Sequence, residues 1–253
     1  MKKWLPFVFL LLAVLGCNLP QVSFLPTAQP TPAGSVRPTF VNYPAPATQM
    51  DLKPFQDAGC KADAAGKLRC PPGLPPFDKL GCYDIGLVSP YLAGLKPGAA
   101  LMGCMLEPQP GTKVAADTYL YQQGCLAPTY MRLVLAAGGQ IQLIKNLADL
   151  KKAAAPLDTP EKALAYAMAA TGFQALFGLK DENLRYRVAR IEDSHVTPTQ
   201  GGYDVTLYSF ATCGCGPHAM SRRIVHLNTA GDFNSDDPYP VWEDPAQDGI
   251  CVD

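Results

Sequence analysis

The chain has 253 residues, 48% of them hydrophobic and 17% charged, with 21 basic and 22 acidic side chains and a net charge of −1. That balance leaves no basic footprint for nucleic acid. The length suits one ordinary domain or two small ones with a core of their own.

Reading from the start, Lys2 and Lys3 precede an apolar run over residues 4–15, and Gly16 and Cys17 follow it. Twelve apolar residues are too few to span a bilayer as a helix but suit the hydrophobic region of an export signal. The sequence Val14-Leu15-Gly16-Cys17 resembles the lipobox of bacterial lipoproteins, with Leu15 where Ala, Ser, Thr or Val is more usual. The resemblance implies cleavage before Cys17, a covalent lipid on that cysteine, and a cell-envelope domain held to a membrane by its anchor. Without Lys2 and Lys3, 19 basic side chains face 22 acidic ones, a balance of −3.

Residues 18–50 hold seven prolines and a single charged side chain, Arg37. Proline without apolar periodicity favours extended polyproline II, so residues 17–50 read as a lipidated cysteine and a spacer on the order of 100 Å long. Residues 51–253 read as the folded part, either whole or as halves 51–145 and 146–253. Residues 51–80 look irregular, because Pro71, Pro72, Pro75 and Pro76 discourage pairing. Residues 99–107, 118–122 and 130–135 are apolar or aromatic enough for strands, and Gly138-Gly139 reads as a hairpin turn into 140–144.

Two helices are expected next. Asn146 caps the first and Pro156 ends it; Thr159-Pro160-Glu161 opens the second and Gly172 closes it. Alternation then returns at Leu184, Tyr186 and Val188, at Tyr203, Val205 and Leu207, and over 222–228. The fold class that follows is α+β: small antiparallel sheets with two short helices, stapled by disulfides. Helix followed by three strands loosely resembles the αβββ arrangement of cystatin-like or PepSY-type modules, which implies a binding or inhibitory role.

Beyond Cys17 the cysteines are Cys60, Cys70, Cys82, Cys104, Cys125, Cys213, Cys215 and Cys251. An even number in an exported chain reads as paired disulfides. Cys213, Cys215 and His218 stand close enough for a copper or zinc site, or for an exported thiol–disulfide enzyme. The alternative, which the even count favours, ties each cysteine to a distant partner such as Cys251 or Cys125. Asp232, Asn234, Asp236 and Glu243 follow calcium-loop spacing, yet Asp237 replaces the glycine such a loop needs and Pro238 opposes its turn. Arg185 and Arg187 with Arg222 and Arg223 form a candidate anion patch, opposed by cross-strand partners such as Asp204. His195 is expected in a turn and His226 in a strand. No local motif for a hydrolase, zinc protease or phosphate loop occurs. The expectation is therefore a lipid-anchored, non-catalytic protein of the envelope that binds a small molecule or a protein partner, with no nucleic acid and no favoured cofactor beyond the lipid.

Overall fold

The computed structural model describes residues 36–252 apart from positions 72, 107, 109–111, 182 and 212. The expected signal, Cys17 and residues 18–35 lie outside the described residues. Residues Ser35–Asp253 form one compact unit.

The first half runs β1 (Thr39–Val41), α1 (Lys53–Asp57), β2 (Lys61–Ala62), β3 (Leu68–Cys70), β4 (Asp84–Gly86), β5 (Ala100–Leu106), β6 (Tyr121–Gln123), β7 (Thr129–Ala137) and β8 (Gln140–Ile144). Strands β2 to β7 make an antiparallel sheet in the order β2-β3-β4-β5-β7-β6, with β8 also on β7. This sheet is buried on both faces, so β5 and β7 read as continuous apolar runs. Met102, Cys104, Val134 and Ala136 point to a core with Phe55 and Phe77, whereas Leu101, Leu133 and Leu135 point to the main core. The one-turn α1 buries only Phe55, too little to leave a helical period in the sequence.

Two helices follow, α2 (Leu147–Ala154) and α3 (Pro160–Thr171). Their caps are local and appear as expected: Asn146 accepts from the Asp149 N–H, Thr159 accepts from the Lys162 N–H, and Gly172 takes the left-handed conformation. Every residue from 163 to 170 is buried. A helix apolar all round belongs inside a protein, and α3 is the shared centre of the main core, which draws on both sheets. Its alanines permit close approach, and at Gly94 a Cβ would stand 2.5 Å from the Glu161 carbonyl. Residues of both halves thus meet in a single core.

The second half runs β9 (Arg185–Tyr186), β10 (Arg190–Glu192), β11 (His195–Thr199), β12 (Gly202–Phe210), β13 (Gly214–Cys215), β14 (Ala219–Asn228), β15 (Phe233–Ser235), β16 (Tyr239–Glu243) and β17 (Cys251–Val252). Its sheet is antiparallel in the order β11-β12-β14-β16-β9, with β15 also on β14. The alternation at 184–188 yields only the two-residue β9, an edge strand whose ladder continues with one bond from Arg187 N–H to the Val241 carbonyl. The observed architecture is the expected α+β fold, held by four disulfides: Cys60–Cys70, Cys82–Cys104, Cys125–Cys213 and Cys215–Cys251.

Part of the expected spacer is folded. Strand β1 pairs in parallel with β10, and Phe40 meets Tyr186 edge-on at 5.5 Å between ring centroids. The Asp193 carboxylate, 1% exposed, accepts from Asn42 Nδ2 (3.1 Å) and the N–H groups of Tyr43 (3.2 Å), Gly178 (2.9 Å) and Leu179 (3.0 Å). Burial alone pushes this carboxyl up, but its four donors outweigh that and hold it below the usual range. Met50 Sδ accepts from the Leu101 N–H at 3.2 Å. Residues 36–50 therefore strap the domain. Pro38, Pro44 and Pro46 fit such an edge segment, where a missing N–H leaves no ladder bond unmade.

Candidate functional site

The cysteine cluster is closed to metal. Cys213 is bonded to Cys125 and Cys215 to Cys251, so neither offers the thiolate that copper or zinc requires. His218 is 3% exposed, with Nε2 3.1 Å from the Ile250 carbonyl. The distant-partner reading describes both cysteines, and its two suggested partners are the observed ones.

The calcium spacing does not converge either. Asp232 is paired with Lys151 at 2.5 Å, Asp236 contacts His226, and Asn234 lies in β15. Glu243 is buried in β16 between Arg185 and Arg187. On β14, Asn234 sits opposite His226 and Glu243 opposite Ala219. Seven strand positions separate them, about 23 Å, whereas one ion needs its ligands within about 2.5 Å. Among the described residues no group of three His, Cys, Asp or Glu side chains is placed to hold a metal.

The four arginines are dispersed. Arg185 is neutralised by Glu243 (3.2 Å) and Asp248 (2.7 Å), and Arg187 by Glu243. Arg222 and Arg223 are consecutive in β14 and so face opposite ways. Arg222 lies over the Tyr239 ring at 5.2 Å and Arg223 over Phe173 at 5.0 Å. Burial holds the Arg223 guanidinium below its ordinary value. His195 is in β11 instead of a turn, stacked on Tyr43 at 4.1 Å. His226 lies in β14 as expected, between Asp204 (2.7 Å) and Asp236 (3.1 Å), and these two bonds raise its pKa.

A site built from other residues lies where the first sheet meets the end of α3. In the ladder, Met131 stands opposite Met105 of β5 and opposite Tyr121 of β6. Directly opposed residues share a face about 5 Å apart, so Tyr121, Met131 and Met105 form a row across three strands. Gly103 stands two residues before Met105, on the same face. A Cβ there would meet Met131 Cε at 3.2 Å and Val88 Cγ1 at 3.0 Å, so the glycine makes room for both side chains.

The opposite wall is Met168 at the end of α3 and the segment 172–176. This segment is fixed on the second sheet by paired backbone bonds between Gln174 and Tyr208, 2.7 and 2.9 Å. Between the walls is a cleft of about 480 Å³. Its lining includes the thioethers of Met105, Met131 and Met168, the Tyr121 and Phe173 rings, and the polar groups of Ser89, Gln123 and Gln174, with no charged side chain among the described residues. Leu87 stands 45% exposed on its rim. Burial pushes the Tyr121 phenol above its usual range, so it is a neutral hydroxyl at physiological pH. The Arg223 guanidinium of the second sheet lies over the Phe173 ring, 5.0 Å from its centroid.

The volume is within the range of small-molecule sites, and methionine adapts to ligands of irregular shape. What the lining supplies is dispersion and neutral hydrogen bonding. Among the described residues that line it there is no histidine, cysteine or carboxylate. Compared with known proteins, the chain matches no family model, no curated protein and no solved structure.

Proposed function

We propose that this is a lipid-anchored envelope protein that binds, without chemical conversion, an uncharged small molecule in the cleft between the first sheet and the end of α3. The carrying observation is the cleft itself: about 480 Å³ lined by three methionines and two aromatic rings, with no charged side chain among the described residues of its wall. An ionised ligand group buried there would lose hydration without a countercharge. The class of ligand is therefore an apolar or aromatic body bearing one or two neutral hydrogen-bonding groups. Those groups would meet the Tyr121 hydroxyl and the Gln123 and Gln174 amides. The anchor rests on the lipobox-like Val14-Leu15-Gly16-Cys17, and four disulfides support a setting outside the cytosol, where such bonds persist.

The test is a titration with N-phenyl-1-naphthylamine, a neutral aromatic amine whose fluorescence rises in apolar sites. Saturable binding at one site per chain is expected, with an affinity on the order of micromolar. Gln174→Trp introduces an indole at an exposed position lining the cleft and should weaken binding at least tenfold. Binding that is unsaturable, or indifferent to Gln174→Trp, overturns the proposal.

A further inference from the structure

Among the four disulfides one differs in what it joins. Cys60–Cys70 and Cys82–Cys104 close loops within the first half, and Cys215–Cys251 closes one within the second. Cys125–Cys213, with a sequence separation of 88, alone links the two halves.

Its ends lie beside the walls of the cleft. Cys125 is two residues beyond Gln123, the last residue of β6, and both Tyr121 and Gln123 of that strand line the cleft. Cys213 is three residues beyond Phe210, the end of β12. That strand carries the other wall through the Gln174–Tyr208 bonds. Gly124 and Gly214 flank the two cysteines with φ of +86° and +89°, backbone that side chains rarely adopt.

Access separates this bridge from the staples of the core. Cys60, Cys70 and Cys104 are 4%, 3% and 0% exposed and Cys82 is half-buried, while Cys213, Cys215 and Cys251 are exposed and Cys125 is half-buried. Thiol–disulfide exchange requires a thiolate to reach a sulfur, so Cys125–Cys213 and its neighbour Cys215–Cys251 react before the two bridges of the first half, and of these two only Cys125–Cys213 joins the walls of the cleft.

The geometry points to Cys125–Cys213 as a reducible clasp that holds the two walls of the ligand cleft together and, when a dithiol reduces it, lets the bound ligand go; this rests on the binding role proposed for the cleft. One thiolate of the dithiol attacks Cys213 Sγ, and Cys125 leaves as a thiolate. The second thiol of the reductant then attacks the mixed disulfide and frees Cys213, so two electrons pass to the protein and the reductant becomes a cyclic disulfide. Cys213 is then one glycine away from Cys215. Its thiolate can attack Cys215, forming Cys213–Cys215 and expelling Cys251, which carries the opening to the C-terminal strand β17. With the clasp open, β6 meets the second half only through non-covalent contacts, such as that of the Tyr121 ring with Gly172 at the end of α3.

The experiment reduces the folded protein with low concentrations of dithiothreitol, traps thiols by alkylation, maps them by mass spectrometry and repeats the N-phenyl-1-naphthylamine titration. The expected result is label at Cys125, joined by Cys213, Cys215 or Cys251, with none at Cys60, Cys70, Cys82 or Cys104. The dye affinity should fall at least tenfold while far-ultraviolet circular dichroism is unchanged. A Cys125→Ala/Cys213→Ala variant should bind weakly with or without dithiothreitol. Concurrent opening of all four bridges overturns the clasp, as does selective opening that leaves dye affinity intact. Failure of the oxidised protein to bind dye overturns the cleft reading, and the clasp with it.

Discussion

Substituting Gly172 probes the junction on which the cleft depends. This residue ends α3 with φ of +72°, and a Cβ built on it would stand 2.4 Å from Tyr121 Cδ2 and 2.6 Å from Cε2. Two costs follow for Gly172→Ala. The left-handed conformation costs about 1–2 kcal/mol for a residue with a Cβ. Overpacking against the Tyr121 ring, which the new Cβ would also meet at Cγ (2.9 Å), adds about 1–3 kcal/mol. The sum, about 2–5 kcal/mol, corresponds to a melting temperature lower by about 4–20 °C in a domain of this size. Gly98 separates the two costs, since its φ is +78° and nothing lies within 4 Å of its virtual Cβ. Gly98→Ala should therefore lose only about 1–2 kcal/mol. Denaturant unfolding under oxidising conditions measures both. Tyr121→Ala in the Gly172→Ala background should recover part of the loss, because a double-mutant cycle isolates contact between neighbours. Equal destabilisation by the two glycine substitutions, with no coupling to Tyr121, would refute the placement of α3 against β6.

Two further outcomes test the frame around the site. Asp193→Asn leaves one oxygen and a donor amide facing four N–H donors; it should cost about 2–4 kcal/mol and open residues 36–50 to protease, and unaltered proteolysis would contradict the strap. The His226 pKa is raised by Asp204 and Asp236, so its contribution to stability is full below about pH 6.5 and fades as pH rises through the higher folded value. A nuclear magnetic resonance titration of its ring should give a midpoint above 6.5 that drops in Asp204→Asn, and a midpoint at or below 6.5 would sink this reading.

What was legible in the sequence was what is local. Asn146, Thr159 and Gly172 act within one turn of their own helices, and the Gly138-Gly139 hairpin within two strands, so residue order alone reveals them. An even cysteine count lets every thiol find a partner, so closed bridges were legible without reference to geometry. The strap was not legible, because Asn42 and Tyr43 meet Asp193 about 150 residues later, and prolines spaced along it imitate a spacer. Glu243 fell at a calcium-loop position because spacing counts residues along the chain, whereas β14 and its two partners spread those residues along a ladder. The cleft is also non-local: Tyr121, Met131 and Met105 come from three strands and converge only through register. The available signal was weak, in that Met105 shares its strand parity with buried Leu101, and Met131 with Leu133.

The most direct test of the binding role follows the methionine methyl groups. With methyl-labelled methionine, N-phenyl-1-naphthylamine should shift the resonances of Met105, Met131 and Met168. Met102, on the opposite face of the same sheet, and Met220, in the second sheet, should stay unmoved. Dye binding that leaves the three cleft methionines unshifted, or moves Met102 and Met220 equally, would contradict the account.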